Sequence, residues 1–269
     1  MLNLKCLWVT LALTVVLIVA GAQASQAQFP AKLLTPPEAD VALAALVQVA
    51  SQLPRPLYET REVHDPNGTG KFYMGREIAQ VMGPGGIDWL DRPEREDEER
   101  PAAVIAALGL RGGETIADLG AGSGYFTFRI APMVGKTGKV LAVDIQDEML
   151  ETLRRRATAL RVTNVEEVKG SETDPKLPVN GVDIVLIVDV YHELTYPFEV
   201  MTKVRNALKP GGRVVFVEYR KEDRQVPIKE VHKMSLEQID KEMKVVALER
   251  SRTVETLPWQ HIVIFEKRQ

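Results

Sequence analysis

The chain has 269 residues, 45% of them hydrophobic and 26% charged, with a formal net charge of −3. That balance excludes a disordered polyelectrolyte, a collagen-like fibre and a multi-span membrane protein, and its length suits one or two folded domains. The slight acidic excess provides no electrostatic footprint for nucleic acid, and a single cysteine, Cys6, excludes a disulfide framework or a Cys-rich zinc site.

Met1 to Ala27 reads as a secretory signal peptide. Lys5 precedes an apolar run from Leu7 to Ala22, and Ala22-Gln23-Ala24 and Ser25-Gln26-Ala27 place small residues at the −3 and −1 positions of a cleavage site. The expectation is export to the periplasm or outside. The alternative is an uncleaved anchor, although the run is short of the roughly 20 residues a span needs. Membrane contact is expected only in that second case. Residues 28–100 read as a small N-terminal appendage of helices and loops, punctuated by Pro36-Pro37, Pro54-Arg55-Pro56, Pro66-Asn67-Gly68 and Gly83-Pro84-Gly85-Gly86. Val41 to Val49 and Gly75 to Met82 are its helix candidates. Arg92 to Arg100 alternates acids and bases, which predicts a solvated helix or loop. The competing reading is a collar around a substrate, built from Trp89, Arg92 and Arg95.

From Pro101 to the end, apolar runs and helical stripes alternate. Strands are predicted at Thr115 to Leu119, Val140 to Val143, Val165 to Val168, Val182 to Val188 and Val214 to Val217. Helices fall between them: Ser123 to Val134, one that Asp147 can cap, and one opened by Pro197 and ended by Pro210-Gly211-Gly212. A further helix from about Pro227 to Lys241 precedes two strands, Lys244 to Leu248 and His261 to Phe265. Their connection through Pro258 lacks a helix, which predicts an antiparallel pairing. The pattern is α/β, a doubly wound sheet with helices on both faces. Ligands of such sheets bind at the carboxyl ends of the strands, where strand order reverses.

The first of those ends carries Asp118-Leu119-Gly120-Ala121-Gly122-Ser123-Gly124. Glycines there let the backbone turn sharply and approach a ligand. A dinucleotide fingerprint is a poor fit, because its third glycine would fall on Tyr125 or Thr127. The second strand ends in Asp144, a carboxylate placed to accept ribose hydroxyls. Together, Ile116 to Gly124, Leu141-Ala142-Val143-Asp144 and the turn Leu208-Lys209-Pro210-Gly211-Gly212-Arg213 resemble class I S-adenosylmethionine-dependent methyltransferases over roughly Pro101 to Lys267. The resemblance implies a Rossmann-like seven-stranded sheet with an antiparallel last strand, S-adenosyl-L-methionine as cofactor, and methyl transfer to a small-molecule or lipid-like acceptor.

The resemblance also implies roles. Gly120, Gly122 and Gly124 would admit the methionine end of the cofactor, Asp118 would orient that loop or bind the amino group, and Asp144 would hold the ribose. After the third strand, where relatives carry Gly-Asp, this chain has Gly170-Ser171-Glu172, so Glu172 or Ser171 is assigned to the adenine. The fourth strand ends in Asp189-Val190-Tyr191-His192-Glu193. There Asp189 would touch cofactor or acceptor, and His192 would serve as a base. The bland alternatives are a structural histidine at His192 and a helix-start carboxylate at Glu193. Glu218 and Tyr219 are weaker candidates for the same cleft. His64, His232 and His261 are scattered in sequence, so no metal is expected. Two other function classes compete: an exported binding module that keeps the fold without catalysis, and a nicotinamide-dependent oxidoreductase.

Overall fold

A computed structural model describes residues 57–267. The readings placed on Met1 to Ala27, Val41 to Val49 and Cys6 lie outside the described residues. No helix among the described residues is long and apolar enough to cross a membrane.

The chain enters through a three-stranded antiparallel sheet in the order β1 (Tyr58–Thr60), β2 (Gly68–Tyr73), β3 (Arg76–Ala79). This corrects the helix expected from Gly75 to Met82. Met74 and Gly75 both take positive φ, 49° and 93°, and turn the chain back so that Tyr73 pairs with Arg76. The apolar spacing that suggested a helix is resolved instead with a period of two, so Arg76 and Ile78 face inward. Three short helical turns follow: α1 (Ile87–Leu90), α2 (Arg95–Glu98) and α3 (Pro101–Ala107).

The large sheet then forms from β4 (Thr115–Leu119), β5 (Lys139–Asp144), β6 (Val165–Lys169), β7 (Val182–Val188) and β8 (Leu208–Arg220), all parallel. Helices α4 (Thr127–Val134), α5 (Asp147–Leu160) and α6 (Pro197–Ala207) connect them. A two-residue strand, β9 (Lys233–Met234), flanks β8. The chain closes through α7 (Leu236–Lys244) and an antiparallel pair, β10 (Leu248–Val254) and β11 (Gln260–Lys267). The sheet order is β10-β11-β8-β7-β4-β5-β6, with β11 antiparallel to β8. The doubly wound, Rossmann-like sheet and its antiparallel last strand are therefore as expected.

Alternation along the strands builds the two cores. Ile184 and Leu186 pack with Ile116, Val140, Val215 and Ile264 on one side of the sheet. Val185 and Ile187 pack with Ala117, Leu141, Val214 and Phe216 on the other. A central parallel strand must therefore be apolar at every position, as β7 nearly is.

Several boundaries shift for local reasons. The helix expected from Ser123 begins at Thr127, because Gly124 has φ +89° and keeps the preceding turn out of the helix. Asp147 does not cap α5. Gln146 holds the N-cap position, and its amide donates to Asp144 Oδ1 at 2.9 Å. The last helix starts at Leu236 because Ser235 Oγ accepts the amide of Gln238. The strand expected at Lys244 starts at Leu248.

The small sheet is held to the large one by a buried ion pair. Arg76 Nε and Nη2 donate to the two carboxylate oxygens of Glu242 on α7 at 2.9 and 3.1 Å. Tyr191 Oη and Gln238 Nε2 donate to the same carboxylate at 2.6 Å each. Arg76 Nη1 also donates to the carbonyl of His192 at 3.1 Å. Arg76→Ala is expected to lower unfolding free energy by about 3–5 kcal/mol, since it strands a buried charge. Arg76→Met with Glu242→Leu is expected to be less destabilised than either single variant, as read from urea unfolding midpoints.

Candidate active site

The chain runs outward through β4, β5 and β6, then returns to lay β7 beside β4. The strand order reverses between β4 and β7, and a cavity of about 570 Å³ opens at their carboxyl ends. Asp118, Gly120, Gly122, Asp144, Ser171, Glu172, Asp189 and His192 all line it. Gly124 lies behind the loop, where a Cβ would come within 2.4 Å of Phe128. So eight of the nine residues singled out by sequence share one cavity, and the ninth shapes the turn that forms it.

The loop after β4 is set by steric exclusion. Gly120 has φ +75°, and a Cβ on it would lie 2.5 Å from Val190. The loop is also tied to the neighbouring strand end. Asp144 Oδ2 accepts the amide of Gly122 at 2.9 Å while its Oδ1 starts α5. Asp144 thus has a backbone role beside its candidate ligand role, because each carboxylate oxygen can accept more than one hydrogen bond. Asp118 is buried and accepts the Thr127 hydroxyl at 2.5 Å. Burial pushes its carboxyl up to about 6, against the opposing hydrogen bonds from Thr127.

Ser171 and Glu172 are exposed at the cavity edge. The Ser171 amide donates to the Asp174 carbonyl at 2.8 Å, and Glu172 Oε1 accepts the Thr195 hydroxyl at 3.5 Å. The Ser171 hydroxyl also accepts the Asp174 amide at 3.2 Å and donates to the Asp174 carbonyl at 3.4 Å.

The charged run before α3 is divided: Glu94, Glu96, Asp97 and Arg100 are exposed, as a solvated run would be, whereas Arg92, Arg95 and Glu99 line the cavity. Arg95 and Glu99 are buried, and Arg95 Nε donates to Glu99 Oε2 at 2.6 Å. Arg92 Nη2 and Tyr219 Oη donate to Glu99 Oε1 at 2.6 and 3.0 Å. The Arg95 guanidinium sits 4.3 Å from the Tyr125 ring centroid and 3.9 Å from Asp189 Oδ2. Part of the alternation of sign, Arg92 and Arg95 with Glu99, is internal pairing along one wall of the cavity. Trp89, the third collar residue, lines the cavity and remains 45% exposed.

Asp189 is the most strained group in the site. Its φ is +52°, a left-handed conformation unusual for a residue other than glycine. Gln260 Nε2 donates to its Oδ2 at 2.7 Å, yet its buried Oδ1 has no hydrogen-bond partner among the described residues. Burial, then the neighbouring charges of Glu99 and Glu218, hold its carboxyl well above the usual range. Asp189 lines the cavity, and a buried oxygen without a partner there calls for a functional explanation.

The segment after Asp189 corrects the helix-start expectation for Glu193. Glu193 starts no long helix: it lies in a single 3₁₀ turn, Tyr191–Glu193, is buried, and accepts the amide of Met82 through Oε2 at 3.2 Å. His192 Nδ1 lies 2.6 Å from Glu218 Oε2, and its Nε2 lies 3.1 Å from Nδ1 of His232. Burial pushes His192 down to about 4 and Glu218 up to about 8. Burial, then His192 itself, pushes His232 down to about 4. His232 was not visible as a site residue, because 39 intervening positions separate it from His192 in the chain. Gln260 was missed for the same reason, since Asp189 lies 71 positions away; Glu99 lies within the charged run but was not singled out, and its bond from Tyr219 spans 120 positions.

The comparisons agree with this geometry. Residues 110–263 match the methyltransferase-domain family, and the chain belongs to the class I S-adenosylmethionine-dependent methyltransferases, enzymes whose methyl donor is S-adenosyl-L-methionine. A SAM-dependent methyltransferase from Aquifex aeolicus superposes with a TM-score of 0.65 at 28% identity, covering 69% of this chain and 98% of that one. The PH0226 protein of Pyrococcus horikoshii shares the fold with a TM-score of 0.52 at 18% identity, covering 70% and 94%. The ubiquinone/menaquinone biosynthesis C-methyltransferase UbiE of Salmonella arizonae is 35% identical over 119 residues, 44% of this chain and 47% of that protein. The chain thus spans about half the length of the curated relatives it matches.

Gly120→Ala is expected to be destabilising by at least about 1–2 kcal/mol, the cost of a left-handed backbone for a residue with a Cβ. Adding Val190→Ala is expected to relieve the collision but not the backbone cost, so the double variant recovers stability only in part. Thermal melts of the three proteins check this.

Proposed function

We propose that the protein transfers a methyl group from S-adenosyl-L-methionine to an apolar small-molecule acceptor held in the cavity between β4 and β7. The observation that carries this reading is the convergence of Asp118, Gly120, Gly122, Asp144 and the unpartnered Asp189 Oδ1 on one cavity. Its volume, about 570 Å³, suits a small-molecule site.

When bound, the cofactor supplies an electrophilic sulfonium methyl; the protein's task is alignment. In this reading Gly120 and Gly122 let the backbone approach the methionine end, Asp118 attracts its ammonium, Asp144 accepts the ribose hydroxyls, and Ser171 or Glu172 meets the adenine. Asp189 and His192 act on the acceptor side. The acceptor's apolar character is supported by the cavity rim, where Val81, Met82 and Trp89 line the opening and are 44%, 37% and 45% exposed. The name of the Salmonella relative supports a finer version, in which the acceptor is an aromatic precursor of a quinone and the methyl goes to carbon.

Calorimetric titration of S-adenosyl-L-methionine into the full chain is the direct test. Asp144→Ala is expected to weaken binding about ten- to a hundred-fold, from losing roughly 1.5–3 kcal/mol of charged hydrogen bonding. Asp144→Asn, which keeps an acceptor for the Gly122 amide, separates ligand loss from loop loss. A folded chain with no affinity for the cofactor would replace methyl transfer with a binding role for some other ligand.

The pH dependence carries a second expectation. Asp118, raised to about 6, is ionised above that pH and attracts an ammonium group; below it the carboxyl is neutral and the attraction is lost. Affinity is therefore expected to be flat between about pH 6 and the deprotonation of the ligand's α-amino group at about pH 8, and to fall as pH drops below about 6. Asp118→Asn should flatten that fall.

A further inference from the structure

His192, Glu193 and His232 bring three ligand atoms together on the wall of the cavity. His192 Nε2 and His232 Nδ1 are 3.1 Å apart. Glu193 Oε1 stands 3.8 Å from the first and 3.6 Å from the second, beyond hydrogen-bond reach of either. Its other oxygen is anchored by the Met82 amide, so the free oxygen is turned toward the two rings.

Ligand bonds of about 2.0–2.1 Å at angles between octahedral and tetrahedral place donor atoms roughly 2.9–3.4 Å apart. The two nitrogens already meet that spacing, and a few tenths of an ångström of carboxylate movement brings in the oxygen. The outer partner is also present. Glu218, fully buried, accepts the Tyr191 amide through Oε1 at 2.8 Å and faces His192 Nδ1 through Oε2 at 2.6 Å. A carboxylate that accepts the Nδ1–H of that ring leaves the Nε2 lone pair facing the cluster. Ligating histidines are commonly held in this way.

We infer that His192 Nε2, His232 Nδ1 and Glu193 Oε1 bind a divalent first-row transition ion, with Glu218 as the positioning residue for His192. Two imidazoles and one carboxylate suit Zn²⁺ or Fe²⁺ and leave coordination positions open. Because all three ligands line the cavity, the open positions face the space for the acceptor. The ion is a Lewis acid there: an acceptor hydroxyl that coordinates it loses its proton to water and stays as a bound oxyanion. The acceptor class is then one that carries an acidic oxygen, a phenol or an enol. That role rests on the methyl-transfer reading, whereas metal binding does not.

The probe is Co²⁺, titrated into the metal-stripped full chain and followed by visible absorption. One Co²⁺ per chain is expected, with bands that Zn²⁺ abolishes by displacement. Glu218→Gln is expected to weaken Co²⁺ binding 10- to 100-fold. His232→Ala should remove the bands, and so should Glu193→Gln, a nearly isosteric change that keeps an acceptor for the Met82 amide. Acetohydroxamate, a small oxygen chelator, should shift the bands if open positions face the cavity; an unshifted spectrum would overturn the acceptor half of the inference. Absence of a Co²⁺ spectrum in a chain that still binds S-adenosyl-L-methionine would overturn the site and leave methyl transfer standing. Bands that persist in both His232→Ala and Glu193→Gln would overturn the assignment of ligands. A Co²⁺ spectrum without cofactor affinity would instead defeat the methyl-transfer reading alone.

Discussion

The ion pair between Arg76 and Glu242 joins three parts of the molecule. Arg76 comes from the small β1–β3 sheet, Glu242 from α7 near the end of the chain, and both bond to the turn that follows β7. Both side chains are almost wholly buried, so every polar atom must be partnered for the arrangement to be tolerable. The carboxylate receives Arg76, Tyr191 and Gln238; the guanidinium also reaches the carbonyls of Glu77 and His192. One consequence is positional. The carbonyl of His192 is held from below by Arg76 and its ring by Glu218, so the imidazole is fixed at both ends before any ligand arrives.

The N-terminal segment is therefore a working wall of the cavity. Met82 joins it to Glu193 through its amide and to Gln146 through its carbonyl. Asp91 pairs with Arg156 on α5 and accepts the Ser123 hydroxyl beside the glycine loop. Arg92, Arg95 and Glu99 then close the side nearest Asp189. Opposite charges are interleaved along this wall so that each buried charge has a partner, with Asp189 Oδ1 and Gln260 Oε1 the unpaired side-chain atoms among the described residues. Burial among these partners favours uncharged Asp189 and His192, and pushes Asp118 and Glu218 up as well. A low-dielectric pocket with few free charges is a suitable place to bring an apolar acceptor against a cationic methyl donor.

Much of the large sheet was legible along the chain because its signals are local. A strand covered on both faces reads as an apolar run, a helix stop reads as Gly135 or Pro210-Gly211-Gly212, and a glycine loop reads as consecutive positions that cannot carry a Cβ. The cofactor-side candidates were equally legible, since Asp118, Gly120, Gly122 and Asp144 sit at or within three residues past the carboxyl end of a strand. The small sheet was not. Arg76, Ile78 and Val81 suit a helix stripe about as well as a strand face over so short a stretch, and the Met74-Gly75 turn decided between them through its two positive φ angles.

What the sequence by itself determined is the order of strands and helices in the large sheet, the glycine loop after β4, and the carboxylates at the strand ends. These follow from steric and periodic rules that act within a few residues. Only the tertiary structure decided which charges are buried and with whom. Arg76 with Glu242, Arg95 with Asp189, and His192 with Glu218 and His232 are pairings across the fold. Each depends on desolvation, and desolvation is a property of the packed interior that no single stretch of chain contains.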